Sequence, residues 1–196
     1  MNIQSKNTNT NPQIEVELRS MFDKKKYEEI NKFLNANAKD LGKDDKDVHF
    51  FILPDKLVKV VNNISKKNAK IVLKLTKIGK GSDFEEIEIP INQDYIEKAV
   101  KLFRGLGFNE VQHAYQKRHN YLYKGAELAL KYSDAWGYHL ELEKIVKDKK
   151  NILKAESQLR RVASELGVHL MTDDELAEFT KKKDREYQEK LRQKNL

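Results

Sequence analysis

Three segments alternate glutamate with apolar residues over strand-length stretches: Ile14-Glu15-Val16-Glu17-Leu18-Arg19, Glu86-Ile87-Glu88-Ile89 and Leu140-Glu141-Leu142-Glu143. Successive side chains of a strand point to opposite faces, so each Glu-x-Glu sets two carboxylates side by side above an apolar underside. The ordinary product of such alternation is an antiparallel sheet with one face on a core and the other in water. The repetition asks for more. If the three segments belong to one closed sheet, up to six carboxylates converge inside it. Two unit charges about 4 Å apart cost about 4 kcal/mol at an effective dielectric near 20. Such a cluster persists only with protons, basic side chains or metal ions to neutralise it.

The remaining elements fit a closed sheet. A first strand is expected near 13–19, then an amphipathic helix over 24–41 whose stripe holds Tyr27, Ile30, Phe33, Leu34 and Leu41, with Gly42 beyond it. Gly42 to Asp47 reads as a charged loop. Strands follow near 48–53, 57–62, 69–76 and 84–90, with turns at Pro54-Asp55 and Gly79-Lys80-Gly81-Ser82. A helix is expected over 93–106, then strands near 110–121, 126–132 and 138–147. Ile152, Ala155, Leu159, Val162, Ala163 and Leu166 form a helical stripe that Gly167 ends. Thr172-x-x-Glu175 is a capping box opening a last, polar helix to about 194, expected to dock at its start and fray towards its end. These elements make eight strands with inserted helices and no βαβ rhythm. The fold class expected is α+β, built on a closed or nearly closed antiparallel barrel.

Composition narrows the function classes. The 196 residues contain no cysteine, which excludes disulfides and thiolate metal sites. No signal peptide or apolar run of membrane-spanning length occurs, so a cytoplasmic location and no membrane partner are expected. The organisation expected is a disordered leader over 1–12, a main domain over 13–150, and C-terminal helices over 151–196 ending in a basic tail. Much of the net charge of +7 sits in that tail. Between 181 and 194, Lys181, Lys182, Lys183, Arg185, Lys190, Arg192 and Lys194 outnumber Asp184, Glu186 and Glu189. A charge run of this kind is usually a solvated helix face; nucleic-acid binding by the tail is the sharper alternative.

Basic residues recur at strand positions matching the glutamates: Arg19, Lys59 in Leu57-Val58-Lys59-Val60, Lys74 in Val72-Leu73-Lys74-Leu75, and Arg118. If carboxylates and cations line one lumen, the site suits a polyanion with a divalent metal. Carboxylates hold Mg²⁺ or Mn²⁺, and Lys and Arg hold phosphate oxygens.

These residues carry a family resemblance. Ile14 to Arg19 resembles the opening E-x-E-x-K strand of the CYTH superfamily, the triphosphate tunnel metalloenzymes. Gln116-Lys117-Arg118-His119-Asn120-Tyr121 resembles that family's K-x-R-x-x-Y strand. Leu128 to Glu143, ending Trp136-Gly137-Tyr138-His139-Leu140-Glu141-Leu142-Glu143, resembles its closing G-x-x-x-E-x-E segment, and Glu86-Ile87-Glu88 stands where the family has a central acidic strand. The resemblance runs from about 13 to 147 and implies an eight-stranded antiparallel tunnel with helices packed outside. It implies Glu15, Glu17, Glu141 and Glu143, with Glu86 and Glu88, as ligands of Mg²⁺ or Mn²⁺. Glu15, Glu17 and Arg19 would be catalytic. Lys59, Lys74, Arg118 and Lys131 would hold the phosphates. The chain departs from the pattern at Arg19 for lysine, Gln116 for lysine and Lys131 for aspartate.

The resemblance implies metal-dependent hydrolysis of a triphosphate-containing small molecule, inorganic or organic. Its alternatives are a class IV-type adenylyl cyclase making cyclic AMP from ATP, and a non-catalytic polyphosphate- or nucleotide-binding module. A homodimer is compatible with either. Other motifs point elsewhere less well. Gly79-Lys80-Gly81-Ser82 lacks a Walker-spaced glycine and reads as a hairpin turn. The five histidines are scattered and form no H-E-x-x-H, so they do not indicate zinc. By alternation His139 shares a face with Glu141 and Glu143. It is either a rim histidine or a phosphate or proton contact.

Overall fold

A computed structural model describes residues 14–53, 56–75 and 83–194; the leader over 1–12 and the turns at 54–55 and 79–82 lie outside the described residues. Nine strands and four α-helices alternate in it: β1 (Ile14–Phe22), α1 (Lys24–Asn37), β2 (Lys39–Lys43), β3 (Lys46–Ile52), β4 (Leu57–Asn63), β5 (Asn68–Lys74), β6 (Asp83–Ile91), α2 (Ile96–Gly105), β7 (Asn109–Tyr123), β8 (Ala126–Ser133), β9 (Gly137–Val146), α3 (Ile152–Glu165) and α4 (Asp173–Lys194).

All strand pairs are antiparallel, in the order β2-β7-β3-β4-β5-β6-β1-β9-β8. A further pairing of β7 with β8 closes eight of the nine into a ring. This is the α+β barrel expected from the sequence, and its narrowest seam is between β1 and β6, where only Ile14–Val16 pair with Asp83–Glu85. The ninth strand, β2, was not expected. The helix expected over 24–41 stops at Asn37, and the residues after it pair with the outer half of β7 (Lys39 with Leu122, Lys43 with His119). Since β7 is 15 residues long and β3 covers only its first half, its second half offers free hydrogen-bonding groups that β2 satisfies. That tertiary gain outweighs the helix propensity of 38–41. Gly42, at φ +87°, takes up the register shift between Asp40 and Gly42, a bulge that a glycine makes without strain.

Alternation sets the two faces. Ile14, Val16 and Leu18 point outward and join Leu128, Leu130, Leu140 and Leu142 in a core sealed by Ile30 and Leu34 of α1 and Leu159 and Val162 of α3. α1 starts where the Asp23 carboxylate accepts from the Lys26 amide at 2.8 Å, a standard N-cap. α3 ends at Gly167, φ +62°. On the far side, Ala99 and Val100 of α2 cover Phe51, Val58 and Val60. Ile91 of β6 packs against this cluster, while Ile87 and Ile89 are 48% and 55% exposed. Leu159→Ala should destabilise the protein by about 2–5 kcal/mol, because its cavity would open at the seam between α3 and the barrel. Chemical denaturation measures this.

The Thr172–Glu175 box forms as expected: the Thr172 amide donates to the Glu175 carboxylate at 2.8 Å, and the Glu175 amide to Thr172 Oγ1 at 3.2 Å. The helix it opens does not dock only at its start. Phe179 packs edge-on against Trp136, Gln112 donates to Asp184 at 2.8 Å, and Gln188 donates to the Glu110 carbonyl at 2.7 Å. Polar anchors spaced along α4 hold it where its few apolar residues alone would not. No helix among the described residues is long and apolar enough to cross a membrane.

Candidate active site

The barrel encloses a cavity of about 520 Å³, and Glu15, Glu17, Arg19, Lys59, Lys74, Glu86, Glu88, Arg118, Lys131, Glu141 and Glu143 all line it. Strand parity brings them there. With Ile14, Val16 and Leu18 turned out to the helices, Glu15, Glu17 and Arg19 must turn in. Register then sets neighbours: Glu17 stands opposite Glu143, and Arg19 opposite Glu141. Part of the opposite wall is apolar, made by Val48, Val61 and Val72 with Phe50.

The six carboxylates divide into groups. Glu17, Glu141 and Glu143 converge, with one oxygen from each within 4.8 Å of the others. Glu86 is drawn aside by Lys74 at 2.8 Å and Lys59 at 3.7 Å. Glu88 pairs with Lys70 nearer solvent, and Glu15 stands 3.7 Å from Lys74. The set of six therefore contains one tight triad and three outlying members. Six acids on three strands fit one cavity, but only those in register on β1 and β9 meet.

Cations hold the triad. Arg19 reaches Glu17 at 2.5 Å and Glu141 at 3.3 Å. Arg118 spans Glu141 at 3.3 Å and Glu143 at 3.0 Å, and Lys131 meets Glu141 at 3.0 Å. Lys74 also approaches Glu17 at 3.4 Å. Burial would raise the Glu141 carboxyl, but the charges of Lys131, Arg19 and Arg118 outweigh it and hold this acid well below the usual range. Burial dominates at Glu143, which is raised. Burial and then the Glu17 charge push Glu15 up to about 8. Glu86 goes the other way, to about 2, because Lys59 and Lys74 overcome its burial. Burial and then Lys74 bring Lys59 down to about 8.

Glu15 makes stability depend on pH. Its folded pKa, about 8, lies above its ordinary value of 4.5, so between these the folded chain binds a proton that the unfolded chain lacks. Stability from this group is whole below pH 4.5 and lost as pH rises through about 8. His139, lowered to about 3 from 6.5, works the other way up to about pH 6.5, so the metal-free protein should melt at falling temperature from pH 6.5 to 8, and Glu15→Gln should flatten that fall. Calorimetric scans across this range check it.

Several lining residues were not picked out from the sequence. Lys46 and Lys70 line the cavity with Trp136. Asp44 is 3% exposed and gathers Lys46 at 2.8 Å, Lys66 at 2.9 Å, Asn63 at 2.6 Å and Arg118 at 3.4 Å. It orients Arg118 from behind, together with Asn120 at 2.7 Å. Lys46 shares parity with Val48 and Phe50, which would have revealed it had the strand been started two residues earlier. Asp44 sits in the break between β2 and β3 and belongs to no period. His139 lines the cavity, and burial followed by the Lys131 charge lowers it to about 3. It is therefore neutral, and its Nδ1–H donates to the Gly137 carbonyl at 3.0 Å.

The geometry agrees with comparisons to known proteins. The family model described as the CYTH domain matches residues 13–175. Among solved structures, a conserved hypothetical protein from Pyrococcus furiosus is 25% identical, with TM-score 0.66, over 79% of this chain and 91% of that one. A putative adenylate cyclase from Vibrio parahaemolyticus is 14% identical, with TM-score 0.62, over 84% and 92%. A putative adenylyl cyclase from Hippeastrum, described as having a dominant triphosphatase activity, is 15% identical, with TM-score 0.58, over 81% and 89%. The last two show likeness of fold. No curated protein matches the chain in sequence.

Proposed function

The chain belongs to the CYTH domain family, and on that premise we propose that its tunnel hydrolyses a triphosphate-containing small molecule with Mg²⁺ or Mn²⁺. The observation that carries this reading is the convergence of Glu17, Glu141 and Glu143 inside a wall of arginines and lysines. An all-carboxylate donor set fits a hard, oxygen-preferring cation. Glu17, Glu141 and Glu143 would hold it, with Glu15 beside them and Glu86 and Glu88 further out. Once bound, the metal supplies Lewis-acid polarisation of a phosphoryl oxygen and of water.

The chain's own residues do the rest. Arg19, Arg118 and Lys131 bind the carboxylates, and a cation held there would release their donors to phosphate oxygens. Lys59 and Lys74 extend the positive wall, so charge on a triphosphate is neutralised along its length. Glu15, raised to about 8 by burial and the Glu17 charge, can accept a proton from the attacking water once it has lost its own, so turnover should rise with pH through that range. In this reading residues 13–150 carry the tunnel, and 151–196 brace it. The fold and the relatives' descriptions lend no support to nucleic-acid binding by the tail or to a homodimer.

One contact favours a second reading. Lys131 takes the place of an acid and occupies Glu141, which suits a tunnel that binds a polyphosphate without cutting it. Phosphorus NMR of ATP and of tripolyphosphate incubated with protein and Mg²⁺ separates the cases. Hydrolysis gives orthophosphate from both. Cyclic AMP and pyrophosphate from ATP would make the protein a cyclase, and binding without products would make it the non-catalytic module. Lys131→Asp should then change the phosphate affinity without changing the fold.

A further inference from the structure

We propose that Asp47, His49 and His113, on the outer face of the barrel, form a second metal site, selective for a transition-metal ion such as Zn²⁺ and separate from the tunnel.

Parity places these residues outside. Lys46, Val48 and Phe50 of β3 line the cavity, so Asp47 and His49 face away from it. Register sets His49 directly opposite His113 of β7. The two rings stack with centroids 3.8 Å apart and planes 10° from parallel. One donor atom from each of Asp47, His49 and His113 lies within 4.8 Å of the others.

The neighbours resemble the outer shell that orients ligating imidazoles. Glu110 accepts from His49 Nδ1 at 2.6 Å, and Arg104 of α2 fixes the other Glu110 oxygen through its Nε at 2.9 Å. A register shift between Phe50 and Phe51 brings Glu110 to the same face. Asp47 meets His113 Nε2 at 2.8 Å. To ligate an ion beside Asp47, His113 would turn Nε2 from the carboxylate to the ion and tilt out of the stack, while His49 would ligate through Nε2 and keep Glu110 on Nδ1. His119 and His169 also pair with acids, Asp40 and Glu175, but neither belongs to a group of three such donors among the described residues.

Donor chemistry separates the two sites. Imidazole suits Zn²⁺, Cu²⁺ and Ni²⁺, whereas carboxylates alone suit Mg²⁺ and Mn²⁺. Two histidines and one aspartate leave a coordination position for water. An ion there would tie β3 to β7 beside the bulge.

The test is Zn²⁺ titration of the chelator-stripped full chain against a chromophoric competitor, with Co²⁺ absorption as a second readout. The wild type should take up Zn²⁺ with micromolar or tighter affinity. Glu17→Gln, which disables the tunnel triad, should keep that binding and the Co²⁺ bands. His49→Ala/His113→Ala should lose at least tenfold in affinity and lose the bands, with near-ultraviolet dichroism unchanged. Glu110→Gln should weaken Zn²⁺ by roughly 10–100-fold if it orients His49. Absence of Zn²⁺ binding in the wild type, or equal binding in the double variant, would overturn the proposal and leave only a hydrogen-bonded histidine pair.

Discussion

Glu17→Gln should cut metal-dependent phosphate release at least a hundredfold and leave the circular dichroism spectrum unchanged. The amide keeps the shape of the carboxylate but not its charge. The triad of Glu17, Glu141 and Glu143 becomes two acids facing the same cations, so its attraction for a divalent ion falls steeply. Losing one preorganised electrostatic contact at a transition state typically costs about 10²–10³ in rate. Glu17 also anchors Arg19 at 2.5 Å, so its loss loosens a phosphate-binding candidate as well. Rates measured across a Mg²⁺ titration separate the two effects. Partial recovery at high metal marks a lost ligand, and no recovery marks a misplaced arginine. An unchanged rate would remove Glu17 from the mechanism.

The second large effect is on stability. Arg118→Ala should destabilise the metal-free protein by about 3–5 kcal/mol, the usual cost of stranding buried charges. Arg118 touches Glu141, Glu143 and Asp44, and no single neighbour can replace it at all three. Mg²⁺ or Mn²⁺ should restore part of the loss, because a cation bound by Glu141 and Glu143 does the same neutralising work. Urea denaturation with and without metal measures both. A loss under about 1 kcal/mol would mean that solvent already screens the cluster, as it does for surface pairs. The variant should also raise the KM for a triphosphate more than it lowers kcat if Arg118 mainly grips substrate.

Both expectations rest on a parity that was legible in the chain. Ile14, Val16 and Leu18 against Glu15, Glu17 and Arg19 is a period-2 pattern, and it correctly assigned the inner and outer faces of β1. The same parity placed Lys59, Lys74 and Glu86 on the cavity wall. What parity cannot supply is which inward residues meet. That depends on register between strands far apart in sequence, such as Arg19 beside Glu141, 122 positions away. The grouping of Glu17, Glu141 and Glu143 apart from Glu86 was therefore hidden.

β2 was missed for a related reason. Residues 39–43 have no strand pattern of their own and pair only because half of β7 is left open. Asp44 lies in the resulting break, so no period could mark it. The stacked pair of His49 and His113 was equally invisible, since the two ordinary strand positions lie 64 positions apart in the chain. In each case the missing information is a contact between distant segments.

The most direct test of the central claim is orthophosphate release from tripolyphosphate by the purified chain, followed over a range of Mg²⁺ and Mn²⁺ and again with excess chelator. The account predicts release that saturates with metal and stops when the metal is removed. Release that continues with chelator present, or that is absent at every metal concentration, would contradict it.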